Sequence, residues 1–127
     1  MPTLNDWAWM VTAVVISLNG NVSPNFRMIS LSFRDDKWWL EFVLEEEDQL
    51  DRLSIGWILW DLDSELGNVA PFLSSDAVAL AAWEERITIS KSDLVFEQER
   101  NARIMYRRRE AVPTSPFAEP GIDEGDT

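Results

Sequence analysis

The sequence predicts an α+β fold in which a helix, a β-hairpin, a second helix and two further strands follow one another, the helices covering one face of a largely antiparallel four-stranded sheet. Three observations carry this expectation. Two neighbouring segments alternate apolar and polar residues with a period of two, and a later one repeats apolar residues at three- and four-residue steps. The composition supplies a core, since 46% of the 127 residues are hydrophobic and seven are Trp.

Asn5 or Asp6 is expected to cap a first helix from Asp6 to Ser17, which Leu18-Asn19-Gly20-Asn21 ends. The β-branched run Val14-Val15-Ile16 pulls the other way, towards a strand. The hairpin is the clearest element. Arg27 to Arg34 places Ile29, Leu31 and Phe33 on one face, and Lys37 to Glu45 places Trp38, Leu40, Phe42 and Leu44 on one face. A two-residue turn at Asp35-Asp36 sets Phe33 opposite Trp38, Leu31 opposite Leu40 and Ile29 opposite Phe42, so every inward residue meets another.

The acidic run Glu45-Glu46-Glu47-Asp48 suits a helix start, and a helix is expected from Glu47 to Leu66. Its inward stripe is read as Leu50, Leu53, Trp57 and Trp60, widened by Ile58, Leu62 and Leu66, with Gly67 as the stop. Gly56 inside it costs about 1 kcal/mol relative to Ala. Ser74-Ser75-Asp76 is expected to cap a short helix through Ala82. Arg86 to Ser90 and Arg103 to Arg109, with Ile104 and Tyr106 alternating in the latter, read as strands separated by a loop from Lys91 to Asn101. Residues 1–110 are expected to form one domain, and the acidic tail 111–127, which contains Pro and Gly, to be disordered.

Composition narrows the function. The chain has no His and no Cys, which removes the usual zinc sites, the Ser–His and Cys–His nucleophile pairs and any disulfide. Its five glycines are scattered, so no phosphate-binding loop exists. Asp61-Leu62-Asp63-Ser64-Glu65 resembles the start of a calcium loop, but Leu66 and Phe72 stand where Gly and Glu are required. A hydrolase built on Glu41 and Glu45 is conceivable, yet nothing distinguishes those two carboxylates. The expectation is a protein that is not an enzyme, with no catalytic residue, metal or cofactor. No export signal or membrane span is read, and a cytoplasmic location is expected.

The formal charge of −12 at pH 7 repels nucleic acid and membrane surfaces and attracts basic proteins. It is concentrated: between Asp35 and Glu65 eleven acids face only Lys37 and Arg52, a local charge of −9. Within this region Trp39 falls on the outward face of the second hairpin strand beside Glu41, as a hot spot for a basic partner would. The expected partner-binding residues are Trp39, Glu41, Glu45, Glu46, Glu47, Asp48 and Asp51. Arg103 with Arg107-Arg108-Arg109 forms an opposite pole, read as pairing internally or holding the tail in preference to binding an anion.

Three stretches, Gly20-Asn21-Val22-Ser23-Pro24-Asn25-Phe26-Arg27, Phe42-Val43-Leu44-Glu45 and Tyr106-Arg107-Arg108-Arg109-Glu110, give a resemblance covering roughly residues 18 to 110. The chain resembles small acidic bacterial immunity proteins of contact-dependent growth inhibition and related polymorphic toxin systems. The apolar Ile55 to Trp60 run and the stretch Asn68 to Trp83 depart from that pattern. The resemblance implies a protein that binds and neutralises a cognate toxin domain, a basic nuclease-type toxin being the expected class. The alternative is a non-enzymatic structural or homo-oligomerising protein.

Overall fold

The computed structural model describes residues 2–74, 83–94 and 101–110. The helix expected from Ser74 to Ala82, much of the loop at 91–101 and the tail at 111–127 lie outside the described residues.

Helix α1 spans Leu4–Leu18. Its N-cap is Thr3, one turn before the expected start. The Thr3 hydroxyl accepts from the Asp6 N–H at 3.0 Å, and the Asp6 carboxylate accepts from the Thr3 N–H at 2.8 Å. Asp6 is thus the third residue of a capping box and not the cap itself. At the other end Gly20 takes φ +79°, the left-handed conformation that terminates helices. Of the β-branched run, Val14 is fully buried while Val15 and Ile16 stay exposed, so packing of one residue outweighs the local strand preference.

Strands β1 (Phe26–Arg34) and β2 (Lys37–Leu44) form the hairpin in the expected register, with Phe33 opposite Trp38, Leu31 opposite Leu40 and Ile29 opposite Phe42. Asp35 and Asp36 both have positive φ, 55° and 59°, which is the two-residue turn whose twist matches that of paired strands. Asp tolerates this conformation better than most residues because its short polar side chain bonds locally.

Helix α2 spans Gln49–Val69, and the Asp48 carboxylate caps it by accepting from the N–H groups of Leu50 and Asp51 at 2.8 and 3.2 Å. Gly67 does not stop it. The helix runs on into a 3₁₀ turn, Ala70–Phe72, where Pro71 lacks the N–H that would bond the Gly67 carbonyl. Strands β3 (Glu84–Ile89) and β4 (Ala102–Arg107) complete a sheet of order β3-β2-β1-β4. Strand β4 pairs antiparallel with β1, whereas β3 lies parallel to β2 because α2 carries the chain back to the starting end of the sheet. A register shift in the β1–β4 pair sets Tyr106 opposite Ile29 but Ile104 opposite Ser30, so these two do not share a face as the alternation suggested.

Both helices pack on one face of the sheet. A single core joins Trp7, Met10 and Val14 of α1, Ile55, Ile58, Leu62 and Leu66 of α2, and the inward hairpin residues. Trp38 lies at its centre, edge-on to Trp7 at 4.9 Å and to Phe33 at 5.0 Å between ring centroids. Its indole N–H has no hydrogen-bond partner.

The orientation of α2 overturns the expected stripe. Leu50, Leu53, Trp57 and Trp60 face solvent, with 74, 60, 55 and 68% of their surface exposed, while Ile55, Ile58, Leu62, Leu66 and Val69 turn inward. The helix carries two apolar stripes, and a polar anchor selects between them. At about 100° per residue Asp51 shares its face with Ile55, Ile58 and Leu62. Its buried carboxylate accepts from the Ser23 hydroxyl and the Asn25 amide, each at 2.7 Å. Rotating the Trp stripe inward would pull that carboxylate away from both donors.

Truncating the central aromatic tests this packing: Trp38→Ala is expected to lower unfolding free energy by about 3–5 kcal/mol in chemical denaturation.

Candidate functional site

The three stretches that suggested a family meet at one end of the sheet, where β1 begins and β2 ends. Arg27, in the first, is almost fully buried. Its Nε and Nη2 donate to the two carboxylate oxygens of Glu110 at 2.7 Å each, and its Nη1 donates to the carbonyls of Ser90 and Ser92 at 2.8 and 2.7 Å. One guanidinium therefore ties the chain beyond β3 to the chain beyond β4, although those strands lie on opposite edges of the sheet. Arg108 adds bonds to Glu45, Glu110 and the Pro24 carbonyl. The hydrogen bonds from Arg27 and then Arg108 hold the Glu110 carboxyl down to about 2, against burial, which pushes the other way. Arg27, Glu45, Lys91, Arg108, Arg109 and Glu110 line a cleft of about 320 Å³ here.

The expected partner-binding acids divide into two groups. Asp51 is buried on Ser23 and Asn25, Asp48 caps α2, and Glu45 is held by Arg108 at 2.8 Å. These carboxylates maintain the fold. Asn25 completes the corner: its side-chain amide accepts from the Glu46 N–H at 3.0 Å and donates to the Glu46 carbonyl at 2.8 Å. Glu46 and Glu47 project into solvent, Glu46 with a loose partner in Lys91 at 3.8 Å and Glu47 accepting from Arg52 Nε and Nη2 at 2.5 and 2.7 Å. Further along α2, Asp61 and Asp63 are exposed and make no ion pair among the described residues.

Trp39 and Glu41 lie apart from this corner, on the sheet face away from the helices. Trp39 is half-buried. Its indole N–H donates to the Arg34 carbonyl at 3.2 Å, and the guanidinium groups of Arg34 and Arg86 stand over its ring at 4.4 and 5.5 Å. Glu41 bridges the same two arginines at 3.1 and 3.4 Å. The residue read as an open aromatic flanked by carboxylates is instead one member of a paired cluster.

Of the basic pole, Arg108 is engaged as described, Arg103 stands over the Trp7 ring at 4.7 Å, and Arg107 and Arg109 are exposed. Asp61, Asp63 and Glu65 gather no metal site, and among the described residues no group of three acidic side chains is placed to hold an ion. No helix of the described residues is long and apolar enough to cross a membrane. The exposed Leu50–Trp60 stripe is the feature sequence reading missed as surface. Its signal was an excess of apolar residues between Leu50 and Leu66, more than one face of a helix can bury.

This is a small α+β protein whose exposed features include an acidic corner and an apolar helix face. A family model for the MafI2 immunity protein matches residues 7–110, and the chain belongs to the MafI2 immunity protein family. Membership makes it an immunity protein directed against a toxin, with a cognate toxin protein as its partner. The match ends at Glu110, the residue that clasps Arg27. No curated protein matches the chain.

The Arg27–Glu110 pair fixes a pH dependence. The folded-state pKa of Glu110, about 2, lies below its ordinary value of 4.5. Its contribution to stability is therefore complete above about pH 4.5 and is lost as pH falls towards 2. Glu110→Gln is expected to lower the thermal midpoint at neutral pH and to flatten its decline between pH 4.5 and 2, the two curves converging at the acid end. Parallel curves in a pH series of thermal melts would show that the pair does not contribute.

Proposed function

We propose that this chain is a non-enzymatic cytoplasmic inhibitor, which binds a basic, nuclease-type toxin domain through the acidic surface at the start of α2 and so masks it. Family membership supplies the role against a toxin. The observation that carries the finer reading is the local charge of −9 between Asp35 and Glu65, whose carboxylates Glu46 and Glu47 before α2 and Asp61 and Asp63 on it are exposed. A toxin that acts on RNA or DNA must be basic where it holds the phosphate backbone, and an acidic protein steered to that surface excludes the substrate. No cofactor is needed for such masking. The fold-maintaining roles of Asp48 and Asp51 leave Glu46 and Glu47 as the acids at this corner that can be altered without loss of structure.

Glu46→Lys with Glu47→Lys removes exposed charges whose ion pairs, with Lys91 and Arg52, lie at the surface, so the thermal midpoint is expected to change little. Affinity for the purified cognate toxin domain is expected to fall about tenfold or more at low salt, with the gap narrowing as salt is added. Equal affinity of the two proteins at low ionic strength would remove the acidic corner from the interface.

A further inference from the structure

We infer that the outer face of α2, centred on Leu53, Trp57 and Trp60, docks the toxin domain, and that Gly56 lets the partner's backbone approach the helix. The inference rests on the immunity reading above and names the contact that reading leaves open.

The inner stripe of α2 is filled by the core, so burial within the chain gives no reason for the outer one. Trp57 and Trp60 expose 55 and 68% of their surface, and Leu53 60%, in one continuous strip along a capped helix. Scattered exposed apolar residues are ordinary, but a strip holding two tryptophans is a surface awaiting a partner. Its setting has the anatomy of an interface, with aromatic anchors in the middle and the exposed carboxylates Asp61 and Asp63 at the margins.

Gly56 is an independent observation. A glycine in mid-helix disfavours the helix relative to alanine, so it needs a local reason. Neither usual reason holds here. Its φ is not positive, and a Cβ built on it would meet nothing within 4 Å. On the helix surface it lies within about 60° of both Leu53 and Trp60, in the same strip. The missing side chain therefore serves something outside the chain, a second backbone brought close to the helix.

Charge decides between occupants. A second copy would set Glu47, Asp61 and Asp63 against their own likes in a chain of net charge −12. The one base near the strip, Arg52, is already held by Glu47. A partner presenting an apolar ridge ringed by Lys and Arg suits both the strip and its margins, and the same acids would steer it in.

The test uses the full chain and the purified cognate toxin domain, inactivated by mutation. Trp57→Ala with Trp60→Ala is expected to leave the thermal midpoint nearly unchanged and to weaken binding on the order of 30-fold or more. Gly56→Ala is expected to raise the midpoint while weakening binding, a pairing that a merely structural role could not produce. If both variants bind as wild type does, this face is not the docking surface and the immunity reading stands. If wild type itself fails to bind, that reading falls and this inference with it. If wild type is a dimer that the double variant turns into a monomer with toxin affinity intact, the occupant is a second copy and the inference is overturned.

Discussion

A single buried guanidinium holds the sheet in its observed arrangement. Arg27 starts from the central strand β1 and satisfies four of its N–H groups with groups that follow the two edge strands, Ser90 and Ser92 after β3 and Glu110 after β4. Burying a charge is costly unless it is paired and hydrogen-bonded, and here the pairing is bidentate with both Nη1 donors taken by carbonyls. Arg is suited to this because its planar fork meets two oxygens of one carboxylate and still points elsewhere, which Lys cannot do. The chain reaches these contacts only when β3 lies beside β2 and β4 beside β1. The ion pair is thus a check on topology as much as a source of stability.

A second polar anchor sets the phase of α2 and through it the character of the surface. With Asp51 fixed on Ser23 and Asn25, the aliphatic stripe faces the sheet and the Trp stripe faces water. The short connection from β2 to α2 is held too, since Asn25 bonds the Glu46 backbone in both directions. At the far end of α2, Ser74 donates from both its N–H and its hydroxyl to Asp6 on α1, at 2.8 and 2.5 Å. Burial opposes ionisation of Asp6, but these bonds with those from Thr3 outweigh it and hold the carboxyl below its ordinary value. Both ends of α2 are therefore pinned by carboxylates, which fixes the face that it turns to solvent.

The acidic side chains fall into two groups. Glu45, Asp48, Asp51 and Glu110 are consumed by caps, buried hydrogen bonds and ion pairs, so their charge does not reach a partner undiminished. Glu46, Glu47, Asp61 and Asp63 remain exposed to solvent, outside the caps and buried bonds that hold the fold. Arg27, Asn25 and Glu110, which lie in the stretches that carry the family resemblance, build the frame.

The hairpin was legible in the sequence down to its register, because period-two alternation on both strands and a two-residue turn leave one pairing in which inward residues meet. The existence of both helices was legible for the same kind of local reason. The sequence also excluded histidine and cysteine chemistry outright, and it located the acidic region. Tertiary structure decided what local pattern left open. Which stripe of α2 is buried depends on Asp51 finding donors on a segment 26 and 28 residues away. Whether Trp39 stands open depends on Arg86, which arrives from a strand paired in parallel after the crossover. Which carboxylates are free depends on where Arg27 and Arg108 end up. Each of these is a long-range contact between polar groups, and hydrophobic periodicity carries no information about the partners of polar groups.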